Sequence, residues 1–165
     1  MPCRRCWHAR LQGLSTRDSL DNGNDAVGDS LSRADRSALM RRIRSKDTGP
    51  ERIVRSCIHR LGLRFRLHDS QLPGSPDIVL PRLRTVVFVH GCFWHRHPRC
   101  RFAYMPKSHT QFWREKFRSN RLRDRRNQAA LGRLGWRVLI LWECETRDIV
   151  ALSDRLRRDL MLRRQ

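Results

Sequence analysis

Two apolar runs constrain the fold of this chain more than any other feature. The segments RTVVFVHG (84–91) and WRVLILWEC (136–144) are short and rich in β-branched and other large apolar residues. Runs of this kind are typical of central strands buried on both faces of a sheet. Between them, HTQFWREKFRSNRLRDRRNQAALGRLG (109–135) predicts a long, very basic helix that ends at Gly135. Two buried strands separated by a helix favour an α/β fold.

The remaining elements agree with that class. The segment TGPERIVRSCIHRLG (48–62) predicts an amphipathic helix, because its apolar residues recur at helical spacing after a possible N-cap at Thr48. Two short strands and a closing amphipathic helix are predicted for RFRLHDS (64–70), PDIVLP (76–81) and RDIVALSDRLRRDLML (147–162). We therefore expect a small mixed β-sheet flanked by helices.

The length of 165 residues suits one domain with a real core. Residues 1–30 are polar and lack an apolar period, so they predict a disordered N-terminal tail whose Cys3-x-x-Cys6 pair is idle. Ordered structure is expected over residues 31–165, beginning with a helix that carries Leu39, Met40 and Ile43.

Charge indicates the class of partner. The chain has 36 Lys and Arg against 16 Asp and Glu, a formal net charge of +20, and only three of the basic residues are lysines. Guanidinium groups suit phosphates and the acceptor edges of bases. A polyanionic partner, most simply nucleic acid, is therefore expected. A solvated basic surface, or a composition biased towards arginine, is the alternative.

Cysteine usage indicates a reducing compartment. We find no secretory signal and no apolar run near the roughly 18 residues of a membrane span. The six cysteines are therefore expected to be free or metal-bound, and the protein to be cytoplasmic, without contact with a membrane.

The segment HGCFWHRHPRC (90–100) is dense in metal-binding side chains. Cys92, His97 and Cys100 have a spacing that can wrap a tetrahedral ion. Cys144 ends the second buried strand and becomes a plausible fourth ligand if that strand lies beside the first. The alternative is that Cys144 is only a small buried hydrophobe. A structural Zn²⁺ site is the prediction.

Carboxylates and further histidines surround the predicted strand ends. Asp77 precedes an apolar strand and His90 ends the next, so the two can face each other at one edge. Glu51 is a third candidate, although Thr48-x-x-Glu51 also matches a capping box, and Asp77 also suits a turn. Jointly they fit a metal-dependent phosphodiesterase, in which Mg²⁺ positions a water and His95 accepts its proton.

These residues resemble one known family. The stretches MRRIRSKDTGPE, LPGSPDIV, VFVHGCFWH, FWREK, RDRRN and LGWRVLILWEC look like those of the very-short-patch repair endonucleases, which act on T:G mismatches. The resemblance extends from about residue 31 to residue 144. It implies a restriction-endonuclease-like core in which Phe88-x-His90 replaces the usual Glu-x-Lys strand motif.

The resemblance also implies roles for individual residues. Asp77 would be the central Mg²⁺ ligand, assisted by the backbone of Val89, and His95 would be the general base. Glu51 and His90 would support metal and water, with Asp124 a further acidic residue near the active site. The structural Zn²⁺ would be held by Cys92, His97, Cys100 and Cys144, and the aromatic wedge entering the DNA stack would consist of Phe93, Trp94 and Trp113.

The implied activity is a nick 5′ to the mismatched T left when 5-methylcytosine deaminates. The implied partners are double-stranded DNA, a cytosine-5 DNA methyltransferase and the mismatch-repair proteins, with the enzyme acting as a monomer near the bacterial nucleoid. A weaker T:G pair is easier to pry open, and inserted aromatics recover stacking. The alternative is a non-catalytic zinc module that binds DNA distortions, which would need neither Asp77 nor His95.

Overall fold

The computed structural model describes residues 46–161, so the predicted tail and the helix around Leu39 lie outside the described residues. Three helices and four strands follow in the order α1, β1, β2, β3, α2, β4, α3. The helices are α1 (Gly49–Arg60), α2 (Thr110–Arg133) and α3 (Ile149–Leu160). The strands are β1 (Arg66–Leu67), β2 (Ile78–Leu80), β3 (Thr85–His90) and β4 (Arg137–Trp142).

The four strands form one mixed sheet in the order β1-β2-β3-β4, which confirms the predicted class. The first three pair antiparallel, whereas β3 and β4 pair parallel, with Val89 opposite Leu141 and His90 opposite Trp142. A parallel pair needs a long crossover, and α2 supplies it. The carboxyl ends of β3 and β4 therefore lie at the same edge of the sheet, and this edge carries the candidate site.

Alternation along the strands divides the core between the two faces of the sheet. Ile78 and Val87 face a large cluster built with α1 and α3, whereas Val79 and Val86 face a smaller one that includes Leu131 of α2. Helices thus cover both faces, as the continuous apolar runs predict.

Local signals set the limits of the helices. Thr48 and Glu51 form the capping box at the start of α1, and the chain turns out of α1 at Gly62, where φ is +72°. Likewise, α2 ends two residues before Gly135, where φ is +74°. A positive φ is least costly for glycine, which explains both stops. No helix within the described range is long and apolar enough to cross a bilayer.

The first predicted strand is shorter than its sequence indicates. Only Arg66 and Leu67 of the segment RFRLHDS pair with β2. His68 has a φ of +49°, which turns the chain out of the sheet and directs its imidazole towards α1. Hydrophobic alternation carried no information about this turn.

Candidate active site and metal centre

A cavity of about 950 Å³ lies at the edge where β3 ends. It is bounded by the start of α1, the loop before β2, the loop after β3 and one side of α2. All residues predicted for catalysis or Mg²⁺ binding line it: Glu51, Asp77, Val89, His90, His95 and Asp124. Residues that lie up to 73 positions apart, from Glu51 to Asp124, thus share one cleft.

Asp77 is held just before the start of β2 by the neighbouring strand β3. Its Oδ2 accepts a hydrogen bond of 2.7 Å from the backbone N–H of Val89 on β3. Burial raises the pKa of Asp77 to about 6, and the nearby charge of Glu51 adds to this although the Val89 hydrogen bond opposes it. The carboxylate is therefore tied across the sheet to β3, and it is short of cationic partners.

His90, His95 and Asp124 form a compact group that lines the same cavity as Asp77. The imidazole rings of His90 and His95 are stacked, with centroids 3.8 Å apart, and Nδ1 of His95 lies 2.6 Å from Oδ2 of Asp124 on α2. Burial, together with the adjacent His95, lowers the pKa of His90 to about 4. Burial alone would raise the pKa of Asp124, but its hydrogen bond with His95 and the nearby positive charges lower it overall.

Glu51 has the capping role and a second set of contacts. Besides closing the capping box with Thr48, its Oε2 accepts a hydrogen bond of 2.8 Å from Arg55 and one of 3.0 Å from the backbone of Asp47. The same Arg55 nitrogen lies 2.8 Å from Nε2 of His68. Side-chain atoms of Asp47, Glu51 and His68 are close enough to share one ion.

Sequence reasoning missed Asp47, Arg55 and His68. Arg55 reads as a surface residue of the predicted amphipathic helix, Asp47 precedes that helix, and His68 falls within a predicted strand. The available signal was weak: two acids at a helix start and a histidine at a strand end.

The predicted zinc ligands come together within the described structure. Atoms of Cys92, His97, Cys100 and Cys144 all lie within 4.8 Å of one another, and Nδ1 of His97 is 3.6 Å from Sγ of Cys92 and 3.3 Å from Sγ of Cys144. A tetrahedral zinc site has sulfur–nitrogen edges of about 3.5 Å, given bond lengths of about 2.3 and 2.0 Å. The parallel pairing of β3 and β4 brings Cys144 to the loop.

Within this cluster Cys92 is fully buried, and the other three side chains are half-buried. Burial raises the pKa of the Cys92 and Cys144 thiols, so a bound cation would be needed to hold them as thiolates. The ring of His97 stacks on Trp142, with centroids 4.2 Å apart. Trp142 is half-buried and supports the imidazole of His97 from one side.

The three aromatics predicted as a wedge form one cluster. Ring centroids of Phe93 lie 5.1 Å from Trp94 and 5.3 Å from Trp113, and all three side chains are half-buried. Asn120 of α2 donates a hydrogen bond of 3.1 Å to the backbone oxygen of Trp94, which fixes the loop. Tyr104, 63% exposed, extends the cluster towards solvent. Phe93 and Trp94 line the cavity.

Sequence comparison relates the chain to one group of enzymes. The family model of the DNA mismatch endonuclease Vsr matches residues 28–101. The type II nicking enzyme V.XorIIP of Xanthomonas oryzae pv. oryzae is 54% identical over 129 residues, covering 78% of this chain and 94% of that enzyme. The DNA mismatch endonuclease Vsr of Escherichia coli is 45% identical over 128 residues, covering 78% and 81%. The type II nicking enzyme V.NmeAIP of Neisseria meningitidis is 44% identical over 123 residues, covering 74% and 87%.

Proposed function

The chain belongs to the Vsr family of DNA mismatch endonucleases, and we propose that it makes a Mg²⁺-dependent nick 5′ to the mismatched T of a T:G pair. It is thus an endodeoxyribonuclease of DNA repair, and the family implies a restriction-endonuclease-like core. The observation that carries the proposal is the cavity that Asp77 lines together with the stacked pair of His90 and His95.

Asp77 and the backbone oxygen of Val89 would hold the Mg²⁺. The carboxylate of Asp77 is largely removed from water and forms no ion pair with any residue between 46 and 161. A hard cation on oxygen ligands would satisfy this buried charge. When bound, Mg²⁺ would offset the negative charge that develops on the phosphate. Glu51, at the same cavity, would support the metal and its waters.

His95 is the proposed general base. Its Nδ1 is engaged by Asp124, so Nε2 remains available to take a proton from an attacking water. Asp124 would hold the ring in one tautomer and stabilise the imidazolium, as in other carboxylate–histidine pairs. Burial keeps the stacked ring of His90 neutral, and a neutral neighbour does not repel the charge formed on His95.

The four-residue cluster Cys92, His97, Cys100 and Cys144 is proposed to bind a structural Zn²⁺. Zinc at this position would pin the loop after β3 to the end of β4. His95 and the aromatic residues belong to that same loop, so the ion would help to place both of them. This role explains why metal ligands, a base and aromatic rings alternate within one short segment.

Phe93, Trp94 and Trp113 are proposed to enter the base stack beside the mismatch. Their half-buried cluster borders the catalytic cavity, so a base step opened by these rings would bring its phosphate to Asp77. A T:G pair is held less firmly than a matched pair, and opening it therefore costs less.

The biological setting follows from that chemistry. Deamination of 5-methylcytosine opposite G produces T:G, so the enzyme would act with a cytosine-5 DNA methyltransferase and with mismatch-repair proteins. We propose that it does so as a monomer in the cytoplasm, on nucleoid DNA. A non-catalytic module that only binds distorted DNA is the competing function.

A nicking assay separates the two functions. Wild-type protein, the nearly isosteric variant Asp77→Asn and the control Asp154→Asn on α3 are each incubated with T:G, other mismatched and matched duplexes, with and without Mg²⁺. We expect nicking only of T:G and only with Mg²⁺, lost in Asp77→Asn but retained in the control, while Asp77→Asn still binds T:G DNA. Binding without nicking by the wild-type protein would favour the non-catalytic module.

A further inference from the structure

A row of arginines lies on the side of α2 that faces away from the catalytic cavity. Arg114, Arg118, Arg121 and Arg125, here called the arginine stripe, follow one another at intervals of four, three and four residues. This spacing aligns them along one side of an α-helix. All four are exposed, and none forms a hydrogen bond or ion pair with another residue of the described part of the chain.

The stripe borders a groove of about 510 Å³. The rest of its lining is Arg96 with three apolar residues, Met105, Phe117 and Leu122. Arg96 is fixed there by its hydrogen bonds to the backbone oxygens of Ala103 and Tyr104 and by its position over the ring of Phe117. The groove contains no carboxylate, so its positive charge is not balanced from within.

The groove and the catalytic cavity lie on different sides of α2. The cavity is lined by other residues of this helix, among them Lys116, Asn120, Arg123 and Asn127. At 3.6 residues per turn, the arginine stripe and the six cavity-lining residues of α2 point on average about 130° apart around the axis. To reach the stripe, a duplex in the cavity would have to bend around a helix about 10 Å wide. The persistence length of DNA is about 500 Å, so a bend that sharp is costly.

We infer that the arginine stripe binds the phosphate backbone of a second DNA segment while the first segment occupies the catalytic cavity. The stripe is about 16 Å long, which matches the rise of about five nucleotides of one strand. Guanidinium forks suit phosphate oxygens, and besides its arginines the groove offers no amide, hydroxyl or carboxylate side chain that could read bases. Such a protein can pass between DNA segments without first dissociating. The inference rests on the family's action on DNA, and neither on T:G selectivity nor on either metal.

Capture of a second duplex tests the inference. A fluorescent T:G duplex is bound to limiting protein without Mg²⁺, and the complex is offered a matched duplex on beads. The stripe variant carries R114Q, R118Q, R121Q and R125Q. The matched control carries R60Q, R82Q, R133Q and R158Q, four exposed positions that line neither cavity and remove the same charge.

We expect capture by the wild-type protein and the control, and a loss of about tenfold or more in the stripe variant, because four phosphate contacts disappear. Binding of one short T:G duplex, and its nicking with Mg²⁺, should be the same in all three proteins. Sedimentation should show one protein chain per two duplexes.

Capture by the stripe variant at the wild-type level would overturn the inference, as would equal loss in the control or bridging by protein dimers. Parallel loss of short-duplex binding would assign the stripe to the first segment instead. If the wild-type protein captured no second duplex but bound poly-glutamate through the stripe, an acidic protein partner would replace DNA. Capture without any nicking of T:G DNA would refute the proposed function alone.

Discussion

Replacing Asp124 with asparagine tests the proposed roles of the histidine pair most directly. In the structure, Nδ1 of His95 lies 2.6 Å from Oδ2 of Asp124. The amide has nearly the shape of the carboxylate, and its oxygen can still accept this hydrogen bond. The substitution therefore removes a charge while leaving the packing of α2 in place. If Asp124 stabilises the protonated base, the nicking step should slow, whereas DNA binding should hardly change.

The geometry sets the size of the effect. The side chains of His95 and Asp124 are 20% and 14% exposed. An effective dielectric constant of about 20 suits such a partly buried pair, and unit charges about 4 Å apart then attract by about 4 kcal/mol. Because each 1.4 kcal/mol changes a rate about tenfold, Asp124→Asn should slow single-turnover nicking by about 10³-fold.

The assay compares single-turnover nicking of a T:G duplex by the wild-type protein, Asp124→Asn, His95→Ala and the double variant, with Asp154→Asn as the control. Since Asp124 is proposed to act through His95, the double variant should be no slower than His95→Ala alone. A loss below about tenfold in Asp124→Asn, or multiplicative losses in the double variant, would refute the coupling.

Three further outcomes are expected. Cys144→Ala should remove the bound zinc and lower the melting midpoint by about 12 °C, because a loss of about 4 kcal/mol in the free energy of unfolding shifts the midpoint by about 3 °C per kcal/mol. The control Cys57→Ala lies outside the cluster and should keep its zinc, as measured by atomic emission. Trp94→Ala should weaken the binding of T:G DNA about tenfold or more in a fluorescence titration, since each base stacked on an aromatic ring contributes about 1–3 kcal/mol. Equal weakening on matched DNA would contradict the proposed insertion of Trp94 beside the mismatch. DNA affinity should fall steeply with added salt, because each neutralised phosphate contributes about 0.9 to the slope, and a flat response would contradict a phosphate-binding surface.

Local structure was largely predictable from the sequence. The two apolar runs became the parallel strands β3 and β4, and the segment between them became α2, whose end near Gly135 was correctly placed. β3 is central as predicted, whereas β4 lies at the edge of the sheet and only its Leu141 is fully buried. These predictions depend on periodicity and on residues such as glycine, which act over a few neighbours. The predicted first strand was too long because a single positive φ, at His68, ended it.

Much of the candidate site was also visible in the sequence, because its residues are chemically distinctive and concentrated in 90–100. The sequence left two roles open for Glu51, and the structure shows the capping box alongside a contact with Arg55. It gave no sign that Arg55 and His68 meet beside Glu51, since these residues come from two separate elements.

The sequence by itself determined which chemically distinctive groups the chain carries: arginines that suit phosphate, cysteines and histidines that suit metal ions, and carboxylates beside strand ends. Only the tertiary structure decided which of these groups meet. The parallel pairing of β3 with β4 brings Cys144 to the loop of Cys92, and the packing of α2 places Asp124 against His95. It also turns the arginine stripe away from the cavity. Residue type and spacing are local properties, whereas proximity across the sheet depends on the packing of distant segments.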